Sequence, residues 1–370
     1  MKQNNRHYKF SEVLTIINGR NQRKVEDVNG CFPIYGSGGI MGWANDFICP
    51  ENTIVIGRKG SINNPIFVNQ KFWNVDTAFG LVANPSLLLP KYLYYFCVSF
   101  NFEALNTTVT IPSLTKANLL NVDIPVPSIK EQEEIVSLLD HLVSLSNTRR
   151  IQLQKLDALA SSRFVEMFGD SNTAMQKWPI HQIQDVAEVT VGVVIQPTRF
   201  YVESPGVKAF RSLNIGAGFI KDDKWVYFSK EAHALNQKSA LHTGDVVIVR
   251  SGHPGTSCVI TDEYDNSNAI DIIIAHPKKE IINPVFLAYF NNLPHGQEQI
   301  VNKTGGAAQQ HFNVGAYKKV RIPNVPIKLQ NEFAAFIKQL DKSKVVGKMQ
   351  RISLEKIAHG DILSWRLALP

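Results

Sequence analysis

Apolar residues follow two different patterns along this chain. Short apolar runs such as Thr53–Gly57 and Val246–Val249 are bounded by Gly, Asn, Asp and Pro, a spacing typical of β strands joined by turns. Two other stretches, which begin near Ser128 and Ile327, repeat apolar residues at helical intervals over about forty positions. The pattern therefore predicts β-rich globular parts that alternate with long helices.

The first long helix is predicted over Ser128–Phe168. Ser128 followed by Glu131 forms a capping box, which fixes where that helix begins. The second is predicted over Ile327–Leu367, with local bending at Gly347 because glycine inside a helix costs about 1 kcal/mol relative to alanine. The predicted heptad stripe of the first helix consists of Ile135, Leu138, Leu142, Leu145, Leu156 and Leu159, with Arg149 and Gln152 in its polar middle.

The chain also repeats itself. Matched segments occur in the same order in its two halves, which indicates an internal duplication because chance would not preserve the order. The matched pairs include Thr53–Gly60 with Asp245–Gly252, a short amphipathic helix predicted at Pro90–Phe100 with one at Asn283–Leu293, and the string Ile124–Gln132 with Ile322–Gln330.

These features predict an α+β fold: two similar globular domains and two long antiparallel helices that form a coiled coil, in a pseudo-two-fold internal repeat. The predicted boundaries are 1–127 and 169–325 for the globular domains, and 128–168 and 326–370 for the helices. Forty helical residues make a rod of about 60 Å. The second globular domain joins the end of one rod to the start of the other, and those ends are neighbours only in an antiparallel pair. We therefore expect one globular domain at each end of the pair.

The amino-acid composition excludes few classes of function. The formal net charge of +7 and the pI near 9.1 suit a polyanionic partner without requiring one. The N-terminal residues lack the apolar stretch of a signal peptide, and no apolar run approaches the roughly 20 residues that span a membrane. The four cysteines, which fit neither a zinc-site spacing nor a disulfide framework, are Cys31, Cys49, Cys97 and Cys258. The sequence thus predicts a cytoplasmic protein with reduced thiols and no membrane partner.

Three segments resemble the specificity subunit of type I restriction-modification systems. They are Pro33–Gly42 and the two strings Ile124–Gln132 and Ile322–Gln330, and the resemblance covers nearly the whole chain. The repeated string followed by a long helix is specific to this family, whereas the glycine-rich segment alone is not. The second string departs from the first where Leu329 replaces Glu131.

The resemblance implies a non-catalytic subunit. Each globular domain would be a target-recognition domain that reads one half of a split double-stranded DNA target, and the helix pair would set the unread spacer. The chain would hold two modification subunits, which methylate adenine with S-adenosylmethionine, and through them the motor-nuclease restriction subunits. S-adenosylmethionine, ATP and Mg²⁺ would belong to those partners, and this chain would carry no cofactor.

Motifs that could indicate an enzyme have simpler explanations. Gly36–Gly39 is not followed by a helix-like segment, as a cofactor-binding glycine loop would be, so a tight turn is predicted. Asn64–Phe67 lacks the second proline of the NPPF-type motif of adenine methyltransferases, so a turn before a strand is predicted. The histidines expected at loop positions on the surface, with no metal site, are His253, His276 and His311.

Candidate DNA-contacting residues fall on three kinds of matched loop. Arg58 and Arg250 each follow an apolar run and precede a small flexible loop; arginine there can grip phosphate or read guanine, although a salt bridge that closes the strand is the alternative. A second loop, rich in hydroxyls or amides and poor in carboxylates, precedes each string, and a polar surface loop is the alternative there. The third place is another matched turn, with Tyr35 and Ser37 in one copy and Arg211 and Asn214 in the other. The predicted set is Tyr35, Ser37, Arg58, Lys59, Thr107, Thr108, Ser113, Arg211, Asn214, Arg250, Ser251, His253, Lys303, Thr304, Gln309 and Gln310.

Two other functions fit parts of the sequence. A recognition module of a self-contained methyltransferase or nuclease would need catalytic motifs, and the two repeats fill the chain without them. A coiled-coil adaptor that binds only protein would leave the matched arginine-glycine loops unexplained. A DNA-sequence reader is therefore the first hypothesis.

Overall fold

The computed structural model of the chain describes residues 6–105, 113–301 and 312–367 and, within the last helix, side chains at 327–350 and 352–354. It contains two compact units. Unit 1 comprises residues 1–151 and 347–370, and unit 2 comprises residues 152–346. None of the helices in the described part of the chain is long and apolar enough to cross a membrane.

The elements of unit 1 are mostly short strands. Its strands are β1 (Arg6–Lys9), β2 (Leu14–Asn18), β3 (Phe32–Gly36), β4 (Gly39–Ala44), β5 (Thr53–Gly57), β6 (Ile66–Val68), β7 (Trp73–Asn74), β8 (Ala78–Ala83) and β9 (Asp123–Val126). Its helices are α1 (Phe10–Val13), α2 (Pro90–Ser99), α3 (Lys116–Leu120) and the first part of α4 (Ile129–Phe168), with a 3-10 turn at Phe102–Leu105.

A four-stranded antiparallel sheet in the order β2-β8-β5-β6 forms the centre of unit 1. All five residues of β5 are buried because the strand is internal, which explains why its sequence is a continuous apolar run. Ile54 and Ile56 of this strand share one core with Phe10, Leu93 and Cys97. A smaller sheet, β4-β3-β7, contains a parallel pair, β3 with β7, and β1 pairs with β9.

Unit 2 contains the remaining elements. Its strands are β10 (Ile180–Gln182), β11 (Ala187–Val191), β12 (Tyr201–Val202), β13 (Val207–Phe210), β14 (Ile215–Gly216), β15 (Phe219–Ile220), β16 (Val226–Phe228), β17 (Ala240–Leu241), β18 (Val246–Val249), β19 (Ser257–Val259), β20 (Ser267–Ala269), β21 (Ile272–Pro277) and β22 (Arg321–Pro323). Its helices are the end of α4, α5 (Ala174–Lys177), α6 (Ile183–Val186), α7 (Lys230–Leu235), α8 (Pro284–Asn292), α9 (Pro294–Val301), α10 (Val314–Lys318) and the first part of α11 (Ile327–Leu367). Its 3-10 turns are Pro197–Phe200, Ser212–Asn214, Gln237–Ser239 and Asp262–Tyr264.

The sheets of unit 2 repeat those of unit 1. The order β11-β21-β18-β19 corresponds, strand by strand and with the same directions, to β2-β8-β5-β6, and β10-β22 corresponds to β1-β9. The parallel pair β13 with β20 corresponds to β3 with β7, although the sheet around it is larger, in the order β12-β16-β13-β20-β17. The internal repeat predicted from the sequence is confirmed by this shared topology.

The two long helices run antiparallel where unit 2 contains both. Asp157 of α4 forms an ion pair with Lys344 of α11 at 2.9 Å, and seven residues further along α4 the ring of Phe164 lies 5.3 Å from that of Phe333. Residues with higher numbers in α4 therefore contact residues with lower numbers in α11, as in an antiparallel pair. Both helices and the predicted antiparallel direction are confirmed, and the helix bounds agree to within one residue.

The buried face of α4 differs from the predicted heptad stripe. Leu138, Leu145 and Leu159 are exposed, whereas Leu139 and Phe164 are buried. The stripe assumed that α4 packs mainly on a partner helix. In the structure its two ends pack on the globular parts instead: Leu139 lies beside Tyr95 of α2, and Phe164 joins an aromatic cluster with Phe286 of α8 and Phe333. Leu354 of α11 packs against the first of these clusters in unit 1.

One glutamine fixes the start of α4 to the globular part of unit 1. Oε1 of Gln132 accepts a hydrogen bond from the backbone N–H of Leu89 at 2.8 Å, and Nε2 donates to the carbonyls of Leu87 and Pro127 at 2.8 and 2.9 Å. The side chain is fully buried. The predicted capping box is confirmed beside it, since the backbone N–H of Ser128 donates to Glu131 at 2.9 Å.

Gln330 makes the same three bonds at the start of α11. Its Oε1 accepts from the backbone N–H of Asn283 at 2.8 Å, and its Nε2 donates to the carbonyls of Ile281 and Val325 at 3.0 and 2.7 Å. The side chain is again almost completely buried. We call Gln132 and Gln330 the clamp glutamines, because each joins a long helix to its globular part through backbone atoms alone.

Candidate nucleic-acid interface

In unit 1 the predicted contact residues gather at one end of the central strand β5. The hairpin between β3 and β4 turns at Ser37 and lies so close to Gly57 that a Cβ built on this glycine would be 2.8 Å from that of Ser37. Lys59 forms a β-bridge with Ser113. Ser37, Lys59 and Ser113 are therefore brought together, as the matched loops suggested, although each contact with DNA stays a prediction.

Arg58 is exposed at this end of β5. Its backbone N–H donates to the carbonyl of Thr77 at 2.8 Å and its carbonyl accepts from Leu114 at 3.0 Å, so the loop is anchored. The side chain is exposed, with its guanidinium carbon 5.9 Å from the ring centroid of Phe79. Within the described ranges neither Arg58 nor Lys59 forms an ion pair with a carboxylate. Both cations thus stay available for an anionic ligand.

Tyr35 has a packing role in the same hairpin. Its ring lies edge-on against Phe72 at 5.3 Å between centroids, and the side chain is half-buried among apolar neighbours. Tyr35 therefore packs the hairpin against Phe72, and only part of its ring is accessible.

Arg250 holds the matching position in unit 2 but has a different environment. The side chain is only 8% exposed; its guanidinium pairs with Asp271, and its Nε donates to the carbonyl of Phe312 at 3.2 Å. This is the strand-closing salt bridge that the sequence left as the alternative. Because Arg250 is buried and paired, it has a structural role instead of the predicted contact with DNA. Ser251 and His253, which follow it, are exposed.

Asn214 also has a structural role. The side chain is fully buried; its Oδ1 accepts from the backbone N–H of Arg211 at 3.0 Å and its Nδ2 donates to the carbonyl of Asp223 at 2.8 Å. Arg211 in turn donates to the carbonyl of Lys224. Because Asn214 has no accessible surface, the prediction that it touches DNA does not fit its position, and Arg211 is partly committed to the same turn.

Six predicted contact residues lie outside the described part of the chain. They are Thr107, Thr108, Lys303, Thr304, Gln309 and Gln310. Their proposed contacts with DNA stay predictions.

His276 lies in a strand, so its predicted loop position is wrong. It belongs to β21, is half-buried, and places Nδ1 2.7 Å from Asp245 and Nε2 3.3 Å from the hydroxyl of Thr190. The hydrogen bond to Asp245 raises the pKa of His276 above its usual range. His276 borders an open cavity of about 780 Å³ that Glu188 and Lys238 also line. The sequence indicated a strand only over the apolar run that precedes His276, so the predicted strand ended before this residue, whereas β21 continues to Pro277.

The motifs that could have indicated catalysis are turns, as predicted. Gly36–Gly39 forms the β3–β4 hairpin turn, and Asn64–Pro65 precedes β6. The described residues contain no cluster of His, Cys, Asp and Glu side chains that could hold a metal ion. All four cysteines are free, and burial raises the pKa of the Cys49 thiol to about 12, so this thiol is inert near neutral pH.

Sequence reasoning missed four exposed apolar residues near the predicted contacts. Ile40 and Met41 lie on the β3–β4 hairpin, and Leu213 and Phe219 lie on the connection between β13 and β16. The available signal was an apolar pair inside a glycine-rich turn, Gly39–Gly42. A hydropathy pattern alone cannot distinguish such a pair from a strand that is buried.

Comparison with known proteins agrees with the duplicated fold. A family model of the type I restriction modification DNA specificity domain matches residues 3–155. The type I restriction enzyme EcoBI specificity subunit of Escherichia coli is 21% identical over 327 residues, which cover 80% of this chain and 67% of that relative.

Two solved structures share this fold. The crystal structure of the S subunit of a type I restriction-modification system from M. genitalium matches with a TM-score of 0.59 at 16% identity, covering 99% of this chain and 96% of that one. A chain solved in work on complex assembly and conformational transition of the type I R-M system matches with a TM-score of 0.60 at 14% identity, covering 96% of each. With the domain match over residues 3–155 and the repeated topology, these similarities lead to one conclusion: the chain is similar to type I restriction-modification specificity subunits and shares the fold of the solved ones.

Proposed function

We propose that this chain reads a split double-stranded DNA target, one half with the globular part of each unit, as the sequence-specificity subunit of a type I restriction-modification complex. The observation that carries the proposal is the repeated topology within one chain, combined with matched loops whose side chains differ. Two similar scaffolds with unlike loops suit a target made of two unlike half-sequences, because base readout depends on loop side chains and not on the scaffold.

The chain is proposed to be non-catalytic and to carry no cofactor. Two modification subunits would bind along the long helices and recruit the restriction subunits, with S-adenosylmethionine, ATP and Mg²⁺ used by those partners. Exposed apolar side chains on both helices support contact with protein, since water is a poor environment for them. They include Val143, Ile151, Val165, Val345, Val346 and Met349.

Methylome sequencing of the source strain, with and without this gene, tests the proposal. Deletion should remove adenine methylation at one split motif, two defined half-sequences separated by a gap of fixed length, and re-expression should restore it. Unchanged methylation after deletion would refute the assignment as the specificity subunit.

A salt titration separates this proposal from a protein-only adaptor. The chain in complex with its modification subunits should bind target duplex with an affinity that falls steeply as salt rises, because phosphate contacts release counterions. If the assembled complex binds target and scrambled duplexes equally weakly at low salt, the adaptor function is favoured.

Calorimetry tests the absence of a cofactor site. The purified chain alone should show no tight, stoichiometric binding of S-adenosylmethionine, whereas the complex with modification subunits should bind it. Stoichiometric binding by the isolated chain would indicate a catalytic module and contradict the proposal.

A further inference from the structure

In each unit, one exposed connection carries two large apolar side chains. We define tip 1 as Gly36–Gly42, which comprises the β3–β4 turn and the start of β4, and tip 2 as Arg211–Lys221, within the connection between the corresponding strands β13 and β16. Ile40 and Met41 of tip 1 are 56% and 62% exposed, and Leu213 and Phe219 of tip 2 are 58% and 48% exposed. The same topological place therefore presents apolar surface to water in both repeats.

The two tips are built in a similar way although their sequences differ. A Cβ on Gly36 would lie 2.5 Å from Sδ of Met41, and a Cβ on Gly216 would lie 2.6 Å from the ring of Phe219. In each tip a long apolar side chain thus lies across a glycine, which holds it in place while one side stays exposed. A side chain packed in this way retains less conformational freedom and loses less entropy on binding.

Both tips lie near the same end of the central sheet. Ser37 of tip 1 contacts the end of β5 at Gly57, and in tip 2 the backbone N–H of Gly218 donates to the carbonyl of Ser257 at 2.9 Å. Ser257 pairs with Ile248 of β18, the strand that corresponds to β5. Each tip therefore lies close to the loop that follows Arg58 or Arg250.

The segments that form the tips and their adjoining strands contain no carboxylate. In unit 1 no Asp or Glu occurs in 28–45 or 52–75, which include Arg58 and Lys59; in unit 2 none occurs in 204–221 or 246–261. Asp222, which directly follows the second of these segments, forms an ion pair with Lys208 at 2.9 Å. Apolar surface on segments that themselves carry no carboxylate, with Arg58 and Lys59 beside tip 1, suits a ligand that is both polyanionic and partly apolar, as the groove of a DNA duplex is.

We propose, on the basis of the proposed function, that tips 1 and 2 enter a groove of double-stranded DNA and contact base edges through Ile40 with Met41 and through Leu213 with Phe219, one pair for each half-target. The thymine methyl group is the apolar feature of a base edge in the major groove. Cations beside tip 1, Arg58 and Lys59, would contact the flanking phosphates and fix its position.

Two double variants test this proposal, Ile40→Ala with Met41→Ala and Leu213→Ala with Phe219→Ala. Each is assembled with the modification subunits, and its affinity is measured by fluorescence anisotropy on the duplex that methylome sequencing defines. Each should lose about tenfold in affinity. The first should also discriminate less against base changes in one half-target and the second against changes in the other. Replacing individual thymines by uracil should weaken the wild-type complex at the contacted positions and leave the matching tip variant unaffected.

Matched controls are exposed apolar residues outside the tips. Val28→Ala in unit 1, at the far end of β4 (91% exposed), and Leu235→Ala in unit 2, on α7 (80% exposed), should keep wild-type affinity and discrimination. If an alanine variant melts at a lower temperature than wild type, the milder pairs Ile40→Val with Met41→Leu and Leu213→Met with Phe219→Leu carry the same test.

The outcomes separate this proposal from the function on which it rests. A wild-type complex without any preference for the target would contradict the proposed function. A wild-type complex with that preference, together with tip variants that bind and discriminate normally, would overturn the assignment of the tips alone. Tip variants that fail to assemble with the modification subunits would show that the tips dock protein, which also overturns it.

Discussion

Arg58 in unit 1 and Arg250 in unit 2 directly follow corresponding strands, β5 and β18, and their backbones make similar hydrogen bonds. Each carbonyl accepts one hydrogen bond from the backbone N–H of a residue shortly before α3 or α10, Leu114 or Phe312, at 3.0 and 2.9 Å. Their side chains have different environments, because Arg250 is buried against Asp271 and Arg58 is exposed. A duplicated backbone therefore preserves where a residue lies, while the local surroundings decide what its side chain does.

The clamp glutamines are the opposite case, because position and role are both retained. Substituting either by alanine should lower the free energy of unfolding by about 3 kcal/mol, since three buried hydrogen bonds of about 1 kcal/mol each are lost. The expected effects of Gln132→Ala and Gln330→Ala are similar, which urea denaturation followed by circular dichroism measures.

An exposed glutamine provides the control for this prediction. Gln70→Ala should change the stability by less than about 0.5 kcal/mol. A clamp variant as stable as that control would show that the joints between helices and globular parts do not depend on these amides.

The two arginines should separate stability from DNA affinity. Arg250→Ala should cost about 2 kcal/mol of unfolding free energy, because it removes a hydrogen bond from a charged group and leaves Asp271 unpaired. Arg58→Ala should change stability by less than about 0.5 kcal/mol and instead weaken binding to target DNA.

Thermal denaturation of both variants, alongside anisotropy on the target duplex, checks this separation. Equal losses of stability would mean that the exposed position of Arg58 does not describe the protein in solution. Unchanged DNA affinity of Arg58→Ala would limit it to a structural role as well.

A smaller, pH-dependent difference is expected at His276, whose counterpart in unit 1 is Val82. Because the bond to Asp245 raises the pKa of His276 in the folded state, its stabilising contribution is fully present below the unfolded pKa of about 6.5 and disappears as pH rises through the folded pKa. Wild type should exceed His276→Val by about 1 kcal/mol near pH 6 and by less at pH 9. Denaturation midpoints across that range measure the difference, and a constant gap would exclude titration of His276 as its source.

The smallest effect is expected for an ion pair found in unit 1. Lys91 lies 2.7 Å from Asp140, and both side chains are largely exposed. Lys91→Ala should cost about 0.5 kcal/mol at low salt and less at 1 M salt, because exposed pairs are weak and screened. Denaturation at the two salt concentrations checks this. A loss of unfolding free energy above about 2 kcal/mol would contradict the prediction that this exposed pair is weak.

The long helices were predictable because their signals are local. A capping box at Ser128 and Glu131 fixes one start, and forty residues of helical periodicity need no knowledge of the rest of the chain. The buried face of α4 was not predictable in the same way. Leu139 is buried because Tyr95 of α2 covers it, and that neighbour is distant in sequence.

The candidate site shows the same limit. The matched arginine loops were recognised from the sequence, but the ion pair that removes Arg250 from the surface depends on Asp271, which lies directly before β21, the strand paired with β18. Likewise, the burial of Asn214 follows from the turn around Asp223, and the exposed Ile40 and Met41 lie on β4, which is an edge strand of its sheet. Residue type locates a loop, whereas tertiary packing decides which side chains face outward.

The joint at Gln132 has a consequence for how such a chain can change over generations. The glutamine bonds only to the carbonyls of Leu87 and Pro127 and to the N–H of Leu89, which every residue type except proline at the last position would supply. The residues that this joint contacts can therefore be substituted without loss of its three bonds, whereas the packing of Tyr95 on Leu139 constrains the side chains beside it. Loops of the globular part that lie away from α4 are free of both requirements, so a new recognition surface could arise there while this connection is inherited intact.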